Sequence, residues 1–207
     1  MYTHSKEFRD ALSPDLSLKL LKEGNERFVS NLVAHRNLLQ QVNATADGQH
    51  PFATILSCMD SRTSAELIFD QGLGDVFSIR VAGNVVNEDI LGSMEFATKV
   101  VGTKVILVLG HTKCGAINGA CNNVEMGHLT GLLNRIKPAI ERETTIQENR
   151  SANNPDFVSK VTAMNVNVSI EQIRAQSEII AELEREGKLK LAGGLYDVES
   201  GKVTFYE

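Results

Sequence analysis

The chain has no tryptophan, and aromatic residues make up 5% of its 207 positions. Its core must therefore be mainly aliphatic. It has few prolines, four in all, and no low-complexity linker or internal repeat is visible. No apolar run is long enough to span a bilayer. Met1 to Glu7 lacks the apolar stretch of a secretory leader, so a cytoplasmic location is expected. Basic residues are no majority either. With 21 Lys and Arg against 26 Asp and Glu the net charge is -5, which argues against a nucleic-acid footprint. No long run of one sign occurs, and the acidic stretch Glu182 to Glu186 reads as a solvated helix face. Three cysteines are too few, and odd in number, for a disulfide scaffold, which leaves metal binding or catalysis for a pair of them.

What is present fits one domain of ordinary size, 42% hydrophobic, with strand and helix signals in alternation. Ser13-Pro14-Asp15 reads as an N-cap with proline at the first helical position, opening a helix through Leu20, Leu21, Gly24 and Phe28. Pro51–Ser57, Asp75–Val81 and Lys104–Gly110 are short, nearly continuous apolar runs, as strands of a buried parallel sheet are. Asn87 to Val101 has helical spacing between the second and third. After Cys114 a helix is expected to about Met126, then another over Leu129 to Thr145 with Pro138 as its break. A long helix is expected from Asn154 through Leu183, stopped by Gly187, followed by a hairpin over Leu189–Tyr196 and Lys202–Tyr206. The pattern predicts an α/β fold with a mostly parallel central sheet flanked by helices. A single domain over 1–207 is expected, with an N-terminal helical arm at 1–45 and an α/β core at 46–207.

Two strand ends carry chemistry: Cys58-Met59-Asp60-Ser61-Arg62 and His111-Thr112-Lys113-Cys114. In open α/β sheets functional side chains gather beyond the carboxyl ends of the strands. Cys58, His111 and Cys114 are three suitable zinc ligands with a fourth position left for water, the arrangement of a catalytic rather than a structural site. Taken singly, Cys58 reads equally well as a small buried hydrophobe. Cys114 opens a helix, which favours its thiolate, and Gly115 lets backbone approach the site closely. Two thiolates and a neutral imidazole leave Zn(II) formally neutral, so its water should be harder to deprotonate than at a three-histidine site. Asp60 and Arg62 read either as an exposed ion pair of small energy or as an oriented carboxylate that accepts a hydrogen bond from the attacking water. Cys121 reads as a buried or partly exposed free thiol. His4 and His35 are expected to be solvated, and His50 and His128 are within the class of side chains that relay protons.

In these motifs, their order and their separation, the chain resembles the beta-class carbonic anhydrases. Gly24-Asn25-Glu26-Arg27-Phe28 and Arg80-Val81-Ala82-Gly83-Asn84 extend the resemblance over most of the sequence. It implies zinc on Cys58, His111 and Cys114, the Asp60–Arg62 dyad in the orienting role, and reversible hydration of CO2 to bicarbonate. It also implies a homodimer, or a tetramer of paired dimers, whose interface forms the cleft and whose N-terminal helices embrace the partner. Gln49, Phe77 and Phe96 match the substrate pocket of the plant-like subclass, although core packing explains the two phenylalanines equally from composition. The bicarbonate-regulated subclass has a tryptophan three residues before the first cysteine, where this chain has Ile55. The resemblance therefore implies an open site with Asp60 on Arg62. A carbon disulfide hydrolase on the same scaffold and a non-catalytic zinc-thiolate redox sensor are the alternatives.

Overall fold

The computed structural model describes residues 4–206; Met1–Thr3 and Glu207, and with them the outer limits of the expected domain and arm, lie outside the described residues. Three helices precede the sheet: α1 (Lys6–Ala11), α2 (Pro14–Val29) and α3 (Leu38–Ala44). The Ser13 hydroxyl accepts from Leu16 N, and Pro14 occupies the first turn of α2 as its sequence predicts. Leu18 and Leu21 are buried in this chain's own core. The later face of α2 comes so close to the segment at Phe69 that a Cβ at Gly24 would lie 1.8 Å from Phe69 O, so only glycine fits. The next residue, Asn25, donates to Ile68 O and Gly201 O and accepts from Val203 N, which locks the helix to the sheet. His4 is not solvated as expected: its ring stacks on Phe8 at 4.1 Å and meets Phe52 edge-on.

The strands are β1 (Ala53–Ser57), β2 (Val76–Arg80), β3 (Val105–His111), β4 (Lys190–Tyr196) and β5 (Val203–Tyr206), in the order β2-β1-β3-β4-β5. β1 pairs in parallel with β2 and β3, β3 with β4, and only β5 runs antiparallel. The central strands β1 and β3 are buried along their whole length, which is why they read as unbroken apolar runs. One face of the sheet packs on α2 and the short α4 (Ala65–Ile68) through Leu21, Ile55, Phe69 and Leu107. The other packs Leu56, Ile106 and Val108 against α5 (Glu88–Glu95), α9 (Pro155–Gln176) and α10 (Glu178–Arg185).

Three helix boundaries differ from expectation. The helix after Cys114, α6 (Gly115–Cys121), stops short of Met126 because Asn123 turns left-handed at φ 52°. Leu129–Thr145 divides into α7 (Gly127–Asn134) and α8 (Lys137–Arg142), so the break precedes Pro138, which sits in the first turn of α8 where its missing N–H costs nothing. The long C-terminal helix breaks at Ser177, whose hydroxyl accepts from Ile180 N to start α10 and donates to Glu95. Beyond α5 the helix continues over Phe96–Val101 with π geometry and ends at Gly102, φ 97°. Among the described residues no helix is long and apolar enough to cross a membrane.

Candidate metal centre

Parallel pairing brings the two motifs together. Ser57 lies opposite Leu109, so Cys58, one residue past β1, comes level with the end of β3 and His111. Cys58, His111 and Cys114 are 4%, 1% and 1% exposed, and the two cysteines join a third apolar cluster with Ile117, Ile136, Phe157 and Val161. One ligand atom from each lies within 4.8 Å of the others. The two sulfurs are 3.9 Å apart. That is far too long for a disulfide and close to the ~3.8 Å edge expected of a tetrahedron with Zn–S bonds of about 2.3 Å.

The histidine is set up as a ligand. Its Nδ1 lies 2.9 Å from Thr112 O, which fixes Nδ1–H as donor and leaves Nε2 as acceptor. Nε2 is buried without a partner. The other two such atoms among the described residues, Ser57 Oγ and Asn84 Nδ2, belong to residues flanking the cysteine loop and its neighbouring turn. An orphaned imidazole nitrogen beside two buried sulfurs is the polar deficit a metal ion removes, so these residues fit zinc. Without a metal the two thiols share a proton. The Cys114 thiol holds Cys58 well below the usual thiol range, aided by His111 and the Gly83 N–H, while donation to Cys58 and burial push Cys114 up.

Each ligand loop is clamped by its own backbone contacts. Past His111 the chain turns at Lys113, φ 58°, to bring Cys114 to the N-cap of α6. Thr112 holds that turn by donating from N to Tyr196 O and from Oγ1 to Asp197 Oδ1. Cys58 O accepts from Thr63 Oγ1 and Arg80 Nε, and Asp60 O accepts from Arg80 Nη2 at 2.6 Å. Arg80, Thr63 and Gly83 are supporting residues that spacing did not single out. Arg80 and Gly83 lie in the Arg80–Asn84 stretch that carries part of the resemblance, and Arg80 stands at the carboxyl end of β2, opposite Ser57.

Asp60 and Arg62 form more than an ordinary surface pair. Arg62 donates Nε and Nη2 to the two Asp60 oxygens at 2.9 and 2.8 Å, and its backbone N adds a third bond at 3.0 Å. These bonds hold the Asp60 carboxyl well below the ordinary carboxylate range, so it is an acceptor only. Gly115 is exposed, and open space lies where its Cβ would stand, beside the buried Cys114. Cys121 is buried, and burial pushes its thiol up to about 11.

Gln49, Phe77 and Phe96 are not at this centre. Phe77 pairs with Thr54, four residues before Cys58, which places it about 13 Å back along the strands. Gln49 precedes β1 and is exposed, near Gly74 at that same end of the sheet. Phe96 is 53% exposed, with its ring 6.4 Å from that of Phe77. The two rings border an open cavity of about 650 Å³ with Ser78, Ile79, Glu88 and Asp89. His35 and His128 are exposed and His50 is half-buried.

The sequence pattern of the family described as "Carbonic anhydrase" matches residues 53–203. "Carbonic anhydrase 2" of Mycobacterium tuberculosis is 37% identical over 193 residues, covering 93% of this chain and 92% of the relative. The carbonic anhydrase of Mycolicibacterium smegmatis is 34% identical over 193 residues, covering 92% of each. Among solved structures, the beta-carbonic anhydrase CafA of Aspergillus fumigatus superposes with a TM-score of 0.72 at 26% identity, over 93% of this chain and 90% of that one.

Proposed function

From its membership of the beta-class carbonic anhydrase family, to which the chain belongs, we propose that it catalyses the zinc-dependent, reversible hydration of CO2 to bicarbonate and a proton. The observation that carries this reading is the buried Cys58–His111–Cys114 cluster with an ionised, doubly held carboxylate, Asp60, on the same loop. Among the described residues the cluster has three protein donors, whereas closed structural sites have four. That count, and a dyad for which a sensor has no use, speak against a redox module. No feature of the chain favours carbon disulfide as substrate.

Cys58, His111 and Cys114 hold the metal. Zinc bound there supplies Lewis acidity, which makes water a nucleophile near neutral pH. Asp60, which Arg62 keeps ionised and fixed in direction, accepts a hydrogen bond from the attacking water and turns its lone pair toward the carbon of CO2. Because Asp60 can only accept, it does not itself deliver a proton; the product proton passes to solvent. Gly115 keeps the approach beside Cys114 unobstructed. Phe77 and Phe96 form an apolar wall suited to an uncharged substrate, and the Gln49 amide donates to a substrate oxygen.

One chain cannot assemble that pocket, because Gln49, Phe77 and Phe96 lie at the opposite end of the strands from the cysteines. The reading therefore includes a homodimer in which the pocket of one copy faces the metal of the other. Exposed Phe96, beside Phe77 of the edge strand β2, and exposed Val100 on the same helix are the apolar surface such a contact would cover. The single domain of residues 1–207 would join its partner there and through the arm, residues 1–45, where Leu32, Leu38 and Leu39 are exposed. Paired dimers would give a tetramer.

The test is stopped-flow CO2 hydration from about pH 6.5 to 9 with zinc measured on the same sample. Fast, zinc-dependent turnover that rises with pH is expected. Full zinc occupancy without turnover at any pH would overturn the reading.

A further inference from the structure

The Cys58 sulfur has a hydrogen-bond donor besides the other ligands, the Gly83 N–H at 3.4 Å. The turn that supplies it, Ala82–Asn84, is costly in backbone terms. Gly83 and Asn84 are successive residues at positive φ, 69° and 42°, and Asn84 carries a side chain. At that φ a side chain on residue 83 would be strained, and its Cβ would also crowd the end of Ile136 at 2.9 Å and Ala116 Cβ at 3.3 Å. Such a turn persists only where its surroundings hold it.

Two side chains of α9 do so. Asn165 Nδ2 donates to Gly83 O at 2.9 Å, and Ser169 Oγ donates to Asn84 O at 3.2 Å. Both residues are 2% exposed, and their spacing of four puts them on one face of the helix. Asn165 thus grips the carbonyl of the residue whose N–H serves Cys58. Both bonds go to backbone carbonyls of the turn.

We infer that Asn165 and Ser169 are positioning residues that set the zinc affinity of the centre, by holding the strained Ala82–Asn84 turn so that Gly83 N–H stays on the Cys58 sulfur. The inference rests on zinc binding at the cluster as proposed above. A donor held on a buried thiolate stabilises its charge without competing for the metal position. Loss of such outer partners at metal sites costs about 10- to 100-fold in affinity.

The experiment is chelator competition for zinc on the full-length protein at fixed pH. The cobalt(II)-substituted protein adds a second readout, because its sulfur-to-cobalt charge-transfer band reports the electronic state of the thiolates. Asn165→Leu should weaken zinc by about 10- to 100-fold and shift that band. Thr162→Val on the same helix removes a hydroxyl that bonds only within α9, to Val158 O, and should keep both at wild-type values. Ser169→Ala should move both readouts in the same direction by less, and it decides the matter if Asn165→Leu does not fold. A folded Asn165→Leu, or failing that a folded Ser169→Ala, with wild-type affinity and band would overturn the inference. A wild-type chain that bound no zinc would defeat the reading of the site, and this inference with it.

Discussion

The proposed pocket, divided between two copies, makes a quantitative demand on mixed dimers. Consider one chain carrying Cys58→Ser, which loses a metal ligand, and another carrying Phe96→Ala, which loses half of the aromatic wall. Phe96 is 53% exposed in the single chain, so truncating it leaves the fold intact. Loss of that wall is expected to lower turnover by about 10- to 200-fold, as for a missing apolar contact of about 1–3 kcal/mol in a substrate pocket. In cis, Phe77 and its neighbour Phe96 remain about 13 Å of strand away from the metal loop, beyond a side chain's reach. In trans, a mixed dimer places the intact metal centre of one chain against the intact wall of the other. Its second site carries both lesions. Random pairing at equal concentration makes about half of the dimers mixed. One site in two of these is native, so the mixture should recover about one quarter of wild-type activity. The same chains kept apart should average about one twentieth or less. The assay is stopped-flow CO2 hydration after co-refolding, with native mass spectrometry to count mixed dimers. Mixed dimers no more active than the separate average would refute the divided pocket.

Three further outcomes are expected. Zinc binding at neutral pH should release about one proton per site, because Cys58 is already driven toward its thiolate while Cys114 retains a proton; affinity should rise with pH, and calorimetry in buffers of different ionisation enthalpy would expose a count of zero or two. The hydrogen bonds from Arg62 hold Asp60 below its ordinary value of 3.8, so its charge is lost only as pH falls well under that value, and the acid limb of the rate profile should not come from Asp60. Arg62→Ala should let the Asp60 carboxyl rise back toward its ordinary value of 3.8, and a zinc-loaded crystal of the wild type at neutral pH with Asp60 on the metal would contradict the open site. Asp70 is buried and accepts from Arg27, Arg36 and Ala34 N, tying the segment after α2 to the loop before β2. Asp70→Asn removes the counter-charge of the Arg36 guanidinium, 11% exposed, which keeps the carbonyls of Ala34 and residue 70 as acceptors, and should cost about 3 kcal/mol in urea unfolding, at the low end for a broken buried pair because those acceptors remain and Arg27 retains access to water. Burial alone would raise the Asp70 carboxyl, but its arginine partners outweigh burial and lower it, so this stabilisation is full above pH 3.8 and fades below; a loss under about 1 kcal/mol would mean that the pair is not holding the segment.

The division between what could and could not be read from the sequence follows from the range of the forces involved. β1 and β3 were legible because both faces of each are buried, which forces unbroken apolar runs, and parallel pairing of such strands places Cys58 beside His111. The three residues that could hold a metal were read from residue type together with their place at two strand ends, and their side chains do cluster. Helix ends were less legible. The stop at Cys121 depends on one left-handed asparagine, and the break at Ser177 on a hydroxyl that finds Glu95 in another helix. Those are tertiary choices that periodicity does not encode. Asn165 is the extreme case. It lies 82 positions from its partner Gly83 in a helix that reads as apolar packing, and no spacing rule links an amide on α9 to a carbonyl in a turn after β2. The residues expected at the pocket were illegible in a different way. Gln49, Phe77 and Phe96 were found by resemblance, yet the fold of one chain sends them to the end of the sheet away from the metal. For Phe96 the cost of that placement is a large ring left half in water, a surface that hydrophobic burial favours covering. The same exposure that makes Phe96 a poor core residue suits it as a wall for a neighbour's site in the proposed dimer, where the drive to bury the ring and the need to enclose CO2 would act on one side chain.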